Sequence, residues 1–132
     1  MRVPTQPAIL LVDDHHGVRE AMVQLLEENG MTICGQASSV EEAVALLDTQ
    51  RPDLVLVDLL PDDAGLKLVA DLNSRGIPVV VCSSRQNPEY ARRALDAGAR
   101  AYVAKGDAAR TLPRILKDVL EGWVLISPRA AE

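Results

Sequence analysis

The sequence is poor in aromatic side chains, and this scarcity limits how its core can be built. Aromatic residues make up 2% of the 132 residues and phenylalanine is absent, whereas hydrophobic residues make up 48%. The core must therefore be filled by leucine, valine, alanine and isoleucine, which suits buried strands covered by alanine-rich helices. A chain of this length predicts one domain with its own hydrophobic core.

Other absences exclude several classes of protein. The net charge is −5 and no block of basic residues occurs, so we do not expect this chain to bind nucleic acid. The N-terminal residues lack the apolar stretch of a signal peptide, and no apolar run approaches the ~18 residues that a membrane span requires. Cys34 and Cys82 lie in apolar runs without CxxC spacing, which predicts buried thiols. These features predict a cytoplasmic location and no contact with membranes.

Apolar runs and helical periodicities alternate five times along the chain. Short apolar runs bounded by turn signals predict buried parallel strands. These runs lie at about Ala8–Val12, Thr32–Ala37, Leu54–Val57, Ile77–Cys82 and Ala101–Val103. Apolar residues recur at helical spacing after each strand, so five helices are expected. The alternation predicts a doubly wound α/β fold with a five-stranded parallel sheet.

Two helix starts differ in how clearly the sequence marks them. The second helix opens with a capping box, in which Glu42 follows Ser39 by three residues. The last helix contains Pro113, which is tolerated without a kink only in a first turn. Either Thr111 or Leu112 therefore caps this helix, or the segment before it is irregular.

Polar side chains stand where four of the five predicted strands end. Asp13 and Asp14 follow the first strand, Asp58 the third, Ser83 the fourth and Lys105 the fifth. In an open parallel sheet, ligands bind at the carboxyl ends of the strands. Carboxylates suit Mg²⁺, which completes its coordination with phosphate oxygens. The pattern predicts a Mg²⁺ and phosphoryl site, in which Asp58 is also the candidate nucleophile that would form an acyl phosphate.

Each of these residues also has an ordinary structural explanation. Asp14 would serve equally well as a cap for the first helix, Ser83 as a turn residue, and a lone lysine is usually solvated. The coincidence of all of them favours the functional interpretation. His15 and His16 are predicted to be surface or helix-start residues, because nothing at catalytic spacing orients either as a general base.

Three segments of the chain read LLVDDHHGVRE, VLVDLLPDDAGLKLV and GARAYVAKGD. Together they resemble the receiver domain of two-component response regulators, and the resemblance covers essentially the whole chain. Lys105 also lies 22 residues beyond Ser83, as the family spacing requires. The resemblance implies a flavodoxin-like sheet with strand order 2-1-3-4-5.

The resemblance implies a role for each residue of the acidic site. Asp58 would be the phosphorylated aspartate, and Asp14 with Asp58 would be the direct Mg²⁺ ligands. Asp13 would act through metal-bound water, and Lys105 would pair with the phosphoryl group. The third protein ligand in the family is a backbone carbonyl, which would be that of Leu60 here.

The resemblance also implies a pair of switch residues. Ser83 would hydrogen-bond the phosphoryl group when the following loop and helix shift. Tyr102 matches the aromatic residue that turns inward as Ser83 moves. The alternative for Tyr102 is an ordinary aromatic residue on an edge strand.

The loop after Asp58 departs from the family pattern. Pro61 and Gly65 follow Asp58 by three and seven residues, whereas the family usually has four and eight. Pro61 pushes the preceding residue toward extended geometry, which would turn the Leu60 carbonyl away from the metal. The shortened loop favours one alternative, an atypical receiver that is regulated by protein contacts without phosphorylation.

The expected function is a phosphorylation-controlled switch rather than an enzyme. A histidine kinase would supply the phosphoryl group, and a face formed by the fourth helix, fifth strand and fifth helix would change binding or homodimerisation. An aspartyl-phosphate phosphatase would need a second acid at position 60, where leucine stands.

The opening DDHH-x-VR and the closing EGWVLISPRAAE most resemble the subfamily with a LuxR-type helix-turn-helix. We therefore expect a receiver over residues 1–121. Residues 122–132 would form a tail or the start of a linker to a DNA-binding domain that is not present in this chain.

Overall fold

The computed structural model describes residues 5–58, 63–85, 87–126 and 128–131, in which strands and helices alternate along the chain. The strands are β1 (Ala8–Val12), β2 (Thr32–Ala37), β3 (Leu54–Val57), β4 (Val79–Ser83), β5 (Ala101–Ala104) and β6 (Leu125–Ile126). The helices are α1 (His16–Glu28), α2 (Val40–Leu46), α3 (Asp63–Ser74), α4 (Pro88–Asp96), α5 (Lys105–Leu120) and α6 (Pro128–Ala131).

The strands form one parallel sheet in the order β2-β1-β3-β4-β5-β6. The predicted order 2-1-3-4-5 is confirmed, but the predicted number of five strands is wrong by one. The sixth strand, Leu125–Ile126, lies in the segment that was expected to be a tail, and the Leu125 N–H donates to the Arg100 carbonyl at 2.9 Å. Two residues are too short to produce a strand periodicity, which explains why the sequence pattern missed it.

The two faces of the sheet are covered by different helices. Alternate strand residues point to opposite faces, so Leu10 and Val12 pack with α2, α3 and α4, whereas Ile9 and Leu11 pack with α1 and α5. The predicted doubly wound arrangement is therefore confirmed. Burial on both faces explains why the central strands read as continuous apolar runs.

Helix α5 begins earlier than the position of Pro113 suggested. It starts at Lys105, directly after β5, and Pro113 lies in its interior. Pro113 supplies no N–H to the helix, but the α5 residues Leu112 and Leu116 are fully buried against the sheet, and this packing outweighs the lost hydrogen bond. No helix in the described ranges, α5 included, is long and apolar enough to cross a membrane.

The capping box at α2 is confirmed in a slightly shifted form. The Ser39 hydroxyl accepts a hydrogen bond from the Glu42 N–H at 3.1 Å. The Glu42 carboxylate reaches back to Ser38, accepting from its N–H at 3.1 Å and its hydroxyl at 2.8 Å. The three hydrogen bonds fix the chain where it leaves β2.

Candidate functional site

The functional side chains converge because neighbouring parallel strands end at one edge of the sheet. Asp13 follows β1, Asp58 follows the adjacent β3, and Ser83 ends β4. The Asp58 N–H donates to the Val12 carbonyl at 2.9 Å, and the Asp13 N–H donates to the Ala37 carbonyl at 2.9 Å. Both aspartates are therefore held in place by the backbone of the sheet.

The ammonium group of Lys105 bridges two of the carboxylates. Its Nζ atom lies 3.1 Å from Oδ2 of Asp58 and 3.3 Å from Oδ2 of Asp13. The side chains are 17% exposed for Lys105, 12% for Asp58 and 4% for Asp13. The attraction is little screened by water at such burial.

Burial and neighbouring opposite charges shift the pKa values of Asp58 and Lys105 in opposite directions. Burial raises the pKa of Asp58, Lys105 opposes that rise, and the Asp13 and Asp14 carboxylates add to it. Burial alone would lower the pKa of Lys105, but Asp58 and Asp13 together outweigh burial and raise that pKa. Lys105 is therefore charged at neutral pH, and its ammonium group faces the carboxylates of both Asp58 and Asp13.

Asp13 is further fixed by contacts with the start of α1. Its Oδ1 atom accepts a hydrogen bond from the His15 N–H at 2.9 Å, and Arg19 Nη1 donates to its backbone carbonyl at 2.6 Å. A buried carboxylate needs such hydrogen-bond partners to offset the cost of removing it from water. These contacts hold the second Asp13 oxygen toward Lys105.

Asp14 and His15 complete a cluster of metal-ligating groups. Asp13, Asp14, His15 and Asp58 each offer one ligand atom, and these atoms all lie within 4.8 Å of one another. Three carboxylates and one imidazole are a suitable donor set for a divalent cation, and the carboxylates are of the type that Mg²⁺ prefers. The residues present thus fit the metal that the sequence predicts.

The alternative in which Asp14 caps α1 is wrong. His15 occupies the N-cap position, and no side-chain hydrogen bond caps this helix. His15 and His16 are exposed residues at the helix start, as predicted. The sequence analysis missed that the His15 imidazole turns back to the acids, with Nδ1 3.0 Å from Asp14 Oδ1. Its only sequence signal is its position directly after the acidic pair.

Ser83 and Tyr102 meet at the loop that follows β4. The buried Ser83 hydroxyl accepts a hydrogen bond from the Arg85 N–H at 3.1 Å, and the Tyr102 hydroxyl donates to the Arg85 carbonyl at 2.6 Å. Burial raises the pKa of Tyr102, and a hydrogen bond with Ser83 opposes that rise. Tyr102 therefore lies inside the protein and links β5 to the β4–α4 loop.

The alternative in which Tyr102 sits on an edge strand is wrong. Strand β5 lies between β4 and β6, and the Tyr102 side chain is fully buried. The sequence analysis did not single out Arg85, whose backbone receives Tyr102 and whose guanidinium lies 4.7 Å from the centre of the Tyr90 ring. No local pattern marks a loop residue for such a role.

The proposed backbone ligand Leu60 lies outside the described residues, as does the neighbouring Pro61. Helix α3 begins at Asp63, and Gly65 is buried within it. The consequence of the shortened loop for the metal therefore stays a prediction.

The two cysteines differ in burial. Cys82 is buried at the end of β4, and burial raises the pKa of its thiol to about 12. Cys34 is only partly buried, and burial raises its pKa as well. The prediction of buried thiols is confirmed for Cys82 and overstated for Cys34.

Comparison with known proteins gives a consistent result. Residues 9–117 match the family described as response regulator receiver domain. The chain is 39% identical over 127 residues to the DNA-binding transcriptional activator DevR/DosR of Mycobacterium tuberculosis, covering 93% of this chain and 58% of that protein. It is 31% identical over 128 residues to the response regulator GacA of Pseudomonas aeruginosa, covering 94% of this chain and 60% of that protein.

A solved structure shares the fold. The crystal structure of a LuxR-family two-component response regulator from Aurantimonas sp. SI85-9A1 has a TM-score of 0.88 and 30% sequence identity, covering 96% of this chain and 93% of that chain. This chain thus spans about three fifths of the two curated relatives and nearly all of the solved structure.

Proposed function

The chain belongs to the response regulator receiver domain family, and on this basis we propose that it is a signalling switch controlled by phosphorylation of Asp58. The observation that supports this most is the placement of Asp58 beside the partly buried ammonium group of Lys105 and a set of metal-ligating carboxylates. Receiver domains are regulatory units rather than enzymes that turn over a separate substrate.

The proposed reaction is transfer of a phosphoryl group from a phosphohistidine of a partner kinase. One carboxylate oxygen of Asp58 forms a bond to phosphorus while the phosphorus–nitrogen bond of the donor breaks. The electron pair of that bond returns to the imidazole, which takes up a proton. The product on Asp58 is an acyl phosphate.

The residues around Asp58 would stabilise this transfer. Lys105 lies within 3.1 Å of the acceptor carboxylate and would pair with the phosphoryl oxygens. Asp14 and Asp58 would hold Mg²⁺ directly and Asp13 would hold it through water. The Leu60 carbonyl, the family's third protein ligand, is expected to be turned away from the metal by Pro61, so water would take its place. The bound cation would neutralise negative charge on the transferring group.

The proposed output of the switch begins at Ser83. Its hydroxyl accepts from the Arg85 N–H in this structure, and it would donate its own proton to a phosphoryl oxygen on Asp58, which would draw Ser83 and the following loop toward Asp58. Because the Arg85 carbonyl also receives the Tyr102 hydroxyl, a shift of this loop would reach β5. The face formed by α4, β5 and α5 would change as a result.

The proposed partners follow from the family. A sensor histidine kinase would donate the phosphoryl group, and a second copy of the chain would bind the altered face. Residues 1–121 would form the receiver unit in a cytoplasmic protein, and residues 122–132 would lead toward an output domain. The relative DevR/DosR is named as a DNA-binding transcriptional activator, which supports transcription control as the output.

Labelling with a small phosphodonor tests the proposal. We expect wild-type protein incubated with acetyl phosphate and Mg²⁺ to gain one phosphoryl group by intact mass, and the Asp58→Asn variant to gain none. Asp48→Asn, which changes an exposed aspartate after α2, is the matched control and should label as the wild type does. A folded wild-type protein that stays unlabelled at every Mg²⁺ concentration would favour regulation by protein contacts alone.

A further inference from the structure

The C-terminal part of the chain folds back onto the face that the switch is proposed to change. We use the name C-terminal strap for residues 123–126 and 128–131, which include β6 and α6. Strand β6 pairs with β5 through Ala101 with Leu125 and Tyr102 with Ile126. Helix α6 contacts α4, β5 and α5. The strap therefore covers the edge that β5 would otherwise present to solvent.

A buried carboxylate on α5 anchors the strap. Asp107 is only 2% exposed, although it is charged and lies in the first turn of the helix. Its Oδ2 atom accepts a hydrogen bond from the Arg129 N–H at 3.0 Å, and its Oδ1 atom lies 3.3 Å from Arg129 Nε. One side chain thus binds both the backbone and the guanidinium of a residue 22 positions further along the chain. Hydrogen bonds to a charged group are the stronger kind.

Gly106 lets the arginine approach this closely. A Cβ atom at position 106 would lie 2.5 Å from Nη1 of Arg129. Because that nitrogen is at the far end of a flexible side chain, an added methyl group would displace the guanidinium rather than the helix. The strap therefore fits a position where α5 has no side chain.

The anchor and the acidic site share one helical turn. Lys105, which contacts Asp58, and Asp107, which holds Arg129, are the first and third residues of α5. Strand β5 provides a second link between the strap and the site, because Tyr102 on this strand contacts the β4–α4 loop and pairs with Ile126 of β6. Both attachment points of the strap therefore lie on elements that reach the Asp58 site.

We propose that the strap is a detachable cover of the β5 edge, held by Asp107 and released when Asp58 is phosphorylated; the release step rests on the proposed function. A phosphoryl group would draw Lys105 and Ser83 toward itself and move the first turn of α5 and the end of β5. The contacts of Asp107 depend on close alignment with Arg129, so a small displacement weakens them. Release would free the β5 edge and α4 for a second copy of the chain.

Amide hydrogen exchange measured residue by residue tests whether Asp107 anchors the C-terminal strap. The Leu125 amide, which donates to the Arg100 carbonyl, reports attachment of β6, and the Val81 amide in β4 serves as an internal reference. We expect Arg129→Gln to speed exchange at Leu125 about tenfold and to leave Val81 unchanged, because the ion pair between the guanidinium and Asp107 is lost while the backbone N–H of residue 129 stays in place. Arg110→Gln, which changes an exposed arginine on α5, is the matched control and should have no effect.

Gly106→Ala separates strap release from loss of the fold. Alanine is a better helix former than glycine, so α5 itself should not be weakened. We expect this variant to keep or raise the global stability and still to speed exchange at Leu125. Unchanged exchange at Leu125 in both Gly106→Ala and Arg129→Gln would overturn the role of Asp107.

The same measurement on phosphorylated protein tests the release. After acetyl phosphate treatment, with the phosphoryl group verified by mass, exchange at Leu125 should rise about fivefold or more over untreated protein, as expected for allosteric coupling. A verified phosphoryl group with unchanged exchange at Leu125 would overturn the release. Failure to gain the phosphoryl group would overturn the proposed function and the release with it, and the two variants would still decide the hold of Asp107.

Discussion

The Lys105 ammonium group donates a hydrogen bond of 3.1 Å to the Asp58 carboxylate, which joins the first residue of α5 to the residue that follows β3. This contact connects Asp58 to the first turn of a helix that follows β5, two strands away in the sheet. Asp58 lies after β3, and Lys105 follows β5, with β4 between them. A change in charge at Asp58 would therefore act directly on the first residue of α5.

Lys105→Met should destabilise the metal-free protein. The substitution leaves Asp58 and Asp13 without their shared counter-charge, and removing one partner of a largely buried ion pair costs about 3 kcal/mol of unfolding free energy. Urea unfolding at pH 7 with a chelator measures this cost. Lys117→Met, at an exposed position of the same helix, is the control. An equal loss in both variants would mean that the bridge contributes nothing to stability.

Mg²⁺ should stabilise the wild-type protein and fail to stabilise Asp14→Ala. A cation at 100 times its dissociation constant adds about 2.7 kcal/mol to the unfolding free energy when it binds only the folded state. Asp14 is half-exposed, so its removal should change the metal-free stability little. Thermal unfolding with and without Mg²⁺ tests this, with Asp48→Ala as the control. A Mg²⁺ effect that persists in Asp14→Ala would show that the ion binds elsewhere.

Tyr102→Phe should cost about 1 kcal/mol of unfolding free energy, because it removes the hydroxyl that donates to the Arg85 carbonyl while keeping the ring. The amides of the β4–α4 loop should exchange faster in this variant. The only other tyrosine, Tyr90, gives a matched control as Tyr90→Phe. Identical loop exchange in Tyr102→Phe and wild type would contradict the link between β5 and the loop.

Pro113→Ala should stabilise the protein. Pro113 lies inside α5 and supplies no N–H, so alanine would restore one helical hydrogen bond and remove a steric conflict. The expected gain in unfolding free energy is about 1–3 kcal/mol. Denaturant titration measures it, and a loss of stability would mean that packing of the proline ring matters more than the missing hydrogen bond.

Stability should fall steeply in alkaline solution, partly because of Cys82. Its pKa is about 12 in the folded protein and near 9 for an ordinary thiol, so the folded state keeps a proton that the unfolded state loses. A raised folded pKa contributes stability that is present below pH 9 and lost as pH rises toward 12, at about 1.4 kcal/mol per pH unit. Unfolding free energies between pH 8 and pH 10.5 should therefore fall less steeply in Cys82→Ala. Parallel slopes would contradict this assignment.

Local patterns predicted the parts of the fold that are encoded locally. Apolar runs identified five strands, of which the edge strand β2 is only partly buried, and the spacing between Ser39 and Glu42 identified the start of α2. Strand β6 has only two residues and therefore shows no periodicity in the sequence. Pro113 predicted a helix start nearby, because proline disfavours a helix interior, but the buried leucines of α5 stabilise the helix around it. Tertiary packing decided both cases.

The candidate site also contains some features that local patterns predict and others that they do not. The positions of Asp13, Asp58, Ser83 and Lys105 follow from strand ends, and the structure brings Asp13, Asp58 and Lys105 into direct contact. The turn of the His15 imidazole toward Asp14 depends on a side-chain conformation, and no repeat or spacing encodes it. The contact between Asp107 and Arg129 joins residues 22 positions apart, beyond the reach of a local pattern.

Reductive trapping tests most directly which residue accepts the phosphoryl group. Borohydride reduces the acyl phosphate of an aspartate to an alcohol, and peptide sequencing by mass spectrometry then locates the altered residue. For wild-type protein treated with acetyl phosphate and Mg²⁺, we predict the alteration at Asp58 and none at Asp13 or Asp14. An alteration at Asp13 or Asp14 with Asp58 intact, or none in a folded and Mg²⁺-bound protein, would contradict the assignment of Asp58 as the phosphoacceptor.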